Sequence, residues 1–280
     1  MSRVAEKDVR AAVQEKYGAI ARGERGGCCG DVAKNTPAIG YTAEDLAIAG
    51  EANLGLGCGN PLALAEIRPG MTVVDLGSGA GFDAFLAWRR VGPTGRVIGV
   101  DMTDDMLALA RENAARLGAT NVEFRKGSIE KLPVEDGSVD LVISNCVVNL
   151  SPDKPAVFRE LARVLKAGGQ FALSDIVLLK PLPKEVAADL EAYVGCVAGA
   201  SLLSDYLAMA LAAGLGELSV PQITPGKQLT EALAPSASNA LKDLRQGCGC
   251  ETFDAAVAGI VSAKIHGRKA APSGTAACCA

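Results

Sequence analysis

The stretch MTVVDLGSGAGFDAFLAWRRVG, residues 71–92, restricts the fold more than any other part of the chain. Its apolar opening reads as a short buried strand. A glycine-rich turn follows, and Phe82, Phe85, Leu86 and Trp88 then give a helix an apolar face. GRVIGVDMTDDMLALARENAARLG repeats the pattern, with an acidic residue at the strand end and a helix opened by Thr103 or Asp104 and closed by Gly118. NVEFRKGSIEKLP adds a third strand and a loop, Val139 to Ser144 a fourth strand, and PAVFRELARVLKAGGQFALSDIV a helix, a Gly-Gly stop and a fifth strand. Strands alternating with helices predict an α/β fold with a doubly wound, mainly parallel sheet covered on both faces. Ligands in such a fold bind beyond the carboxyl ends of the strands.

The candidate site residues sit at those ends. Gly77, Gly79 and Gly81 form G-x-G-x-G, where missing side chains allow a tight turn and close approach of a ligand to the backbone. Asp101, twenty residues beyond Gly81, can accept hydrogen bonds from two ribose hydroxyls. The dinucleotide fingerprint needs its third glycine one residue later than DLGSGAG supplies it, and here Asp75 precedes the first glycine by two positions.

With 280 residues, 49% of them hydrophobic, the chain can bury a sizeable core and has room for about two domains. A net charge of -4 leaves no basic stripe, so nucleic acid is not an expected partner. No apolar run is long enough to span a membrane, and the charged first thirty residues lack the apolar core of a signal peptide. A cytoplasmic protein is the expectation, and a monomer. In that compartment the nine cysteines are mostly thiols at rest. Single cysteines are often small buried hydrophobes. The short-range pairs Cys28–Cys29, Cys248–Cys250 and Cys278–Cys279 point instead to soft, thiophilic ions, without the repeated C-x-x-C of a structural zinc site.

The DLGSGAG turn resembles the first motif of class I methyltransferases that use S-adenosylmethionine. The resemblance implies a Rossmann-like methyltransferase sheet in which Asp75 faces the methionine end of the cofactor, with Gly77, Ser78, Gly79 and Gly81 in the turn. Asp101 and Met102 would contact ribose and adenine, Ser128 and Ile129 of GSIEKLP would border the adenine, and Asn145 would complete the cofactor set.

LGCGNP (56–61), SNCVVNLSPDK (144–154) and YVGCVAGA (193–200) resemble the three cysteine motifs of arsenite methyltransferases, and EKYG before the Cys28–Cys29 pair is similar too. The resemblance implies that Cys58, Cys146 and Cys196 ligate trivalent arsenic and that Cys29 is the N-terminal redox cysteine. Arsenic's lone pair would attack the S-methyl carbon in line, and a cysteine pair, for which Cys29 and Cys58 are the candidates, would return electrons and be reset by thioredoxin or glutathione. The Gly and Asn neighbours of these cysteines belong to loops, a setting an inert buried thiol does not need. His266, the only histidine, is expected in an exposed tail.

Three segments are expected: residues 1–60 as a helix and cysteine-containing cover, 61–179 as the cofactor domain, and 180–280 as a smaller α+β domain in which Cys196 completes the arsenic site. In the last, Leu202, Leu203, Tyr206, Leu207 and Leu211 have core spacing, GLGELSVPQI adds strands, and AAPSGTAACCA forms a disordered tail. Two other functions stay open on the residues alone. One is methylation of an organic small molecule, against which the 4% aromatic content counts; the other is metalloid binding by thiols without catalysis.

Overall fold

A computed structural model describes residues 6–24, 36–37, 39–182, 187, 193–225 and 258–271. The strands are β1 (Thr72–Leu76), β2 (Arg96–Asp101), β3 (Val122–Lys126), β4 (Val139–Asn145), β5 (Leu165–Leu178), β6 (Leu215–Pro225) and β7 (Ile260–Lys269). The helices are α1 (Glu6–Ala21), α2 (Ala43–Ala49), α3 (Phe82–Val91), α4 (Asp104–Leu117), α5 (Lys154–Val164) and α6 (Leu203–Ala212). One sheet takes all the strands in the order β3-β2-β1-β4-β5-β7-β6. The first five strands run parallel, and β7 is antiparallel to both β5 and β6.

The apolar run of β1 follows from burial on both faces. Val74 and Leu76 join a cluster with Phe158, Leu161 and Tyr206, whereas Val73 joins Phe85, Leu86 and Leu107 on the opposite side. This is the two-residue alternation of a strand. The helices end where the sequence predicts. Gly81 caps α3 at φ 96°, Thr103 occupies the N-cap of α4, and Gly118 closes α4 at φ 65°. Asp153 opens α5 by accepting a hydrogen bond from the Ala156 N–H.

Strand order reverses between β1 and β4, so the crevice outside their carboxyl ends is the place for a ligand. The turn after β1, Asp101 at the end of β2 and Asn145–Cys146 at the end of β4 all meet there.

Two expectations are corrected. His266 lies inside β7, opposite Ala172 and Ser219, with Nε2 3.3 Å from Gln170 Oε1, and is therefore part of the sheet. Leu211 is 58% exposed. The buried stripe of α6 is Tyr206 and Ala210, and one further residue turns the helix by about 100° away from it. The strand expected in GLGELSVPQI is present as β6, and with β7 it extends the same sheet that carries the glycine turn. Among the described residues no helix is long and apolar enough to cross a membrane.

Candidate active site

The turn after β1 depends on glycine at each expected position. Gly77, Gly79 and Gly81 have φ of 62°, 51° and 96°, a region costly for residues with a Cβ. A Cβ on Gly77 would overlap Val147, and one on Gly81 would come within 2.7 Å of Phe85. Asp101 fixes the turn from β2: its carboxylate accepts from the Gly79 N–H at 3.0 Å and from the Thr103 N–H at 2.8 Å. A carboxylate has about four acceptor positions, so capacity remains for ligand hydroxyls.

A cavity open to solvent, about 1220 Å³ with the solvent in its mouth counted, lies among the described residues at this end of the sheet. Asp75, Gly77, Ser78, Gly79, Asp101, Met102, Ser128, Ile129, Asn145 and Cys146 all line it. Gly81 does not; its part is to start α3. The cavity is acidic at its inner end. Burial, with the nearby Asp83 and Asp101 charges, holds the Asp75 carboxyl well above its ordinary value; burial likewise raises Asp101 and pushes Asp83 up to about 6. Such a set favours a cationic ligand.

Cys146 lines the cavity at the end of β4, where its N–H donates to Ser174 O at 2.7 Å. Cys58 is joined to it by a disulfide, with Cα atoms 5.8 Å apart. Cys196 approaches from beyond β5, its Sγ 3.1 Å from the Cys146 carbonyl oxygen. The three residues distant in sequence thus form one buried cluster, packed under Val9 and Val13 of α1. Cys146 and Cys196 also have φ of 60° and 65°. Left-handed backbone at a residue with a side chain costs on the order of 1–3 kcal/mol and is retained mainly where function requires it. Cys29 lies outside the described residues, as do Cys28, Cys248, Cys250, Cys278 and Cys279. Cys58 is bonded to Cys146, and its candidate redox pairing with Cys29 falls outside the described residues.

Sequence patterns did not single out Asp83, Tyr41 and Asp175. Asp83, in the first turn of α3, looks like an ordinary complement to a helix dipole. It is buried, accepts from Tyr41 Oη at 2.6 Å and from Asn145 Nδ2 at 3.0 Å, and lines the cavity. Asp175 lies in β5 with a carboxylate oxygen and the Sγ atoms of Cys58 and Cys146 all within 4.8 Å of one another. It accepts from Asn149 Nδ2 at 2.8 Å and from Tyr206 Oη at 3.3 Å, and burial pushes it up to about 7.

The Asp175 value has a measurable consequence. Because it lies above the value of about 3.9 for a free aspartate, the protonated form favours folding, and that contribution is lost as pH rises from about 4 through 7. Asp175→Asn cannot ionise. The thermal midpoint of the parent, minus that of the variant, should fall between pH 5 and pH 8; a difference constant over that range would show that Asp175 is not held protonated.

Residues 67–232 match the family model described as "Methyltransferase domain". The arsenite methyltransferase of Halobacterium salinarum is 49% identical over 80% of this chain and 61% of its own length. The human arsenite methyltransferase is 39% identical over 51% of this chain and 40% of its own length. Among solved structures, an arsenic(III) S-adenosylmethionine methyltransferase from Chlamydomonas reinhardtii superposes with a TM-score of 0.61 at 31% identity, covering 84% of this chain and 72% of that one. The chain belongs to the arsenite methyltransferase family. It spans 61% or less of the length of these two curated relatives.

As an arsenite methyltransferase family member, the protein should have a pocket that fits S-adenosylmethionine, and its own features do fit. Ser78 Oγ is buried without a hydrogen-bond partner among the described residues, the glycine turn leaves the backbone open to a ligand, and the carboxylates suit a cation. Asp101, Met102, Ser128 and Ile129 would hold the adenosine, and Asp75 the methionine end.

Proposed function

We propose that this chain transfers methyl groups from S-adenosylmethionine to trivalent arsenic bound by the thiolates of Cys58, Cys146 and Cys196, a reaction of arsenic detoxification. One observation supports this above the others: Cys146 lines the cofactor cavity, and Cys58 and Cys196 lie against Cys146. S-adenosylmethionine supplies a methyl group on a sulfonium, which reacts with soft nucleophiles. The protein's part is to hold the nucleophile still and in reach, about 3–3.5 Å from the carbon it attacks.

Arsenous acid suits that part. Each thiol replaces one hydroxyl, so three thiols and As(OH)3 give one tris-thiolate and three waters, with no change of oxidation state. The lone pair stays on arsenic, and thiolates disfavour hard metal ions. Methyl transfer raises arsenic formally from the trivalent to the pentavalent state. Two thiolates becoming a disulfide return those two electrons, and thioredoxin or glutathione then reduces the disulfide. A bond between Cys58 and Cys146 is incompatible with arsenite ligation by either, so capture requires reductant. Cys29 is kept as a candidate partner in the reduction cycle.

Arsenite binding without cofactor tests the site. Protein reduced with a phosphine should bind one arsenic per chain and protect Cys58, Cys146 and Cys196 from alkylation; the Cys58–Cys146 disulfide form should not. Equal binding by both forms, or protection of other cysteines only, would refute this site.

A further inference from the structure

Between the cofactor cavity and the Cys58 segment stands a buried polar network that the methyl-transfer chemistry does not itself use. Asn145 is its centre. Its Nδ2 lies 2.9 Å from Tyr41 Oη, 2.7 Å from Gly59 O and 3.0 Å from Asp83 Oδ2, while its Oδ1 accepts from the Cys58 N–H at 3.1 Å. Tyr41 Oη donates to the other Asp83 oxygen at 2.6 Å. Tyr41 and Asp83 are 4% and 7% exposed, so competition from water for these bonds is small. The fit is close on both sides. A Cβ on Gly57 would come within 2.6 Å of Asn145 Nδ2, and the Tyr41 ring packs edge-on against Phe82 at 4.9 Å.

We propose that Tyr41 and Asp83 are positioning residues which, through Asn145, couple a cationic ligand in the cofactor cavity to the placement of the Cys58 backbone. Tyr41, Asp83, Asn145 and Gly57 all line that cavity, so a ligand there and the Cys58 segment share one set of hydrogen bonds. A cation beside Asp75 and Asp83 stabilises the ionised Asp83 carboxylate. Charge-assisted hydrogen bonds from Tyr41 and Asn145 then become stronger. Asn145 is held with its amide nitrogen toward Asp83 and its carbonyl toward Cys58. Linkage requires the reverse effect as well, so arsenite on Cys58 should tighten cofactor binding by the same factor.

The inference rests on arsenite binding at Cys58, and the test separates the two. Arsenite dissociation constants would be measured by equilibrium dialysis of phosphine-reduced protein, with and without saturating sinefungin, a non-transferable analogue with an amine in place of the sulfonium. In the parent, sinefungin should tighten arsenite binding by about tenfold, within the usual range of coupling between sites. Tyr41→Phe keeps the ring against Phe82 and loses only the hydroxyl; Asp83→Asn keeps the shape and loses the charge. Both should bring the ratio of the two constants to within about twofold of one. A purely structural role would weaken binding equally in both conditions and leave the ratio at its parental value, which would overturn the inference, as would a parental ratio of one. If Asp83→Asn does not fold, Tyr41→Phe decides. A parent that binds sinefungin but no arsenite would remove the arsenite site itself, and this coupling with it.

Discussion

Cys146→Ser should reduce arsenic methylation by on the order of a hundredfold or more while leaving S-adenosylmethionine binding near the parental value. Cys146 is the cysteine that lines the cofactor cavity and that Cys58 and Cys196 approach. Serine keeps the size and the backbone but is a hard, weakly acidic ligand with little affinity for trivalent arsenic. The remaining thiols could hold arsenic by two bonds, displaced from the cavity wall. Positional errors of about 1 Å can cost a hundredfold when reacting atoms must be aligned. The two measurements are single-turnover methylation and calorimetric cofactor binding. Parental methylation by the variant would show that Cys146 does not hold the substrate.

Gly77→Ala should have the second largest effect, on cofactor binding and stability together. The position has φ 62°, and the added Cβ would overlap the side chain of Val147, the residue after Cys146. Left-handed strain of about 1–2 kcal/mol adds to an overpacking cost of about 1–3 kcal/mol. Gly118→Ala is the control: its φ of 65° and ψ of 29° are left-handed, but nothing lies within 4 Å of a Cβ there. Gly118→Ala should therefore lose only the strain, about 1–2 kcal/mol in denaturant unfolding, and keep cofactor binding. Gly77→Ala should lose more stability and also the rise in melting temperature that sinefungin gives the parent. Equal losses and retained binding in both variants would mean that Val147 yields and the wall of the cavity is soft.

The parts of the site legible in the sequence are those written in local pattern. DLGSGAG announces its turn because positive φ selects glycine at Gly77, Gly79 and Gly81, and Asp101 announces itself by its place at the next strand end. The cysteine motifs were visible through their resemblance to those of arsenite methyltransferases, which the Gly and Asn neighbours support. Their conformation was not, since nothing adjacent in the chain shows that Cys146 and Cys196 adopt left-handed backbone.

Long-range partners were hidden for a different reason. Asp83 reads as a helix-start acid until Tyr41, 42 residues away, and Asn145, 62 residues away, are seen to share its carboxylate. Asp175 reads as the polar end of a strand until the sulfurs of Cys58 and Cys146 appear beside it. His266 looked like a tail residue because the pairing of β7 with β5 links Gln170 to Arg268, across most of the C-terminal third of the chain. Leu211 shows the limit of periodicity: spacing identifies a helix, but packing decides which of two adjacent leucine rows faces the core.

The most direct test of the proposed chemistry is arsenic speciation after incubating the purified, reduced protein with arsenite, S-adenosylmethionine and thioredoxin or glutathione. Methylated arsenic should form in proportion to the S-adenosylhomocysteine released. Arsenite recovered unmethylated, from protein that demonstrably binds both arsenite and S-adenosylmethionine, would contradict methyl transfer to arsenic and leave a thiol site that only captures the metalloid.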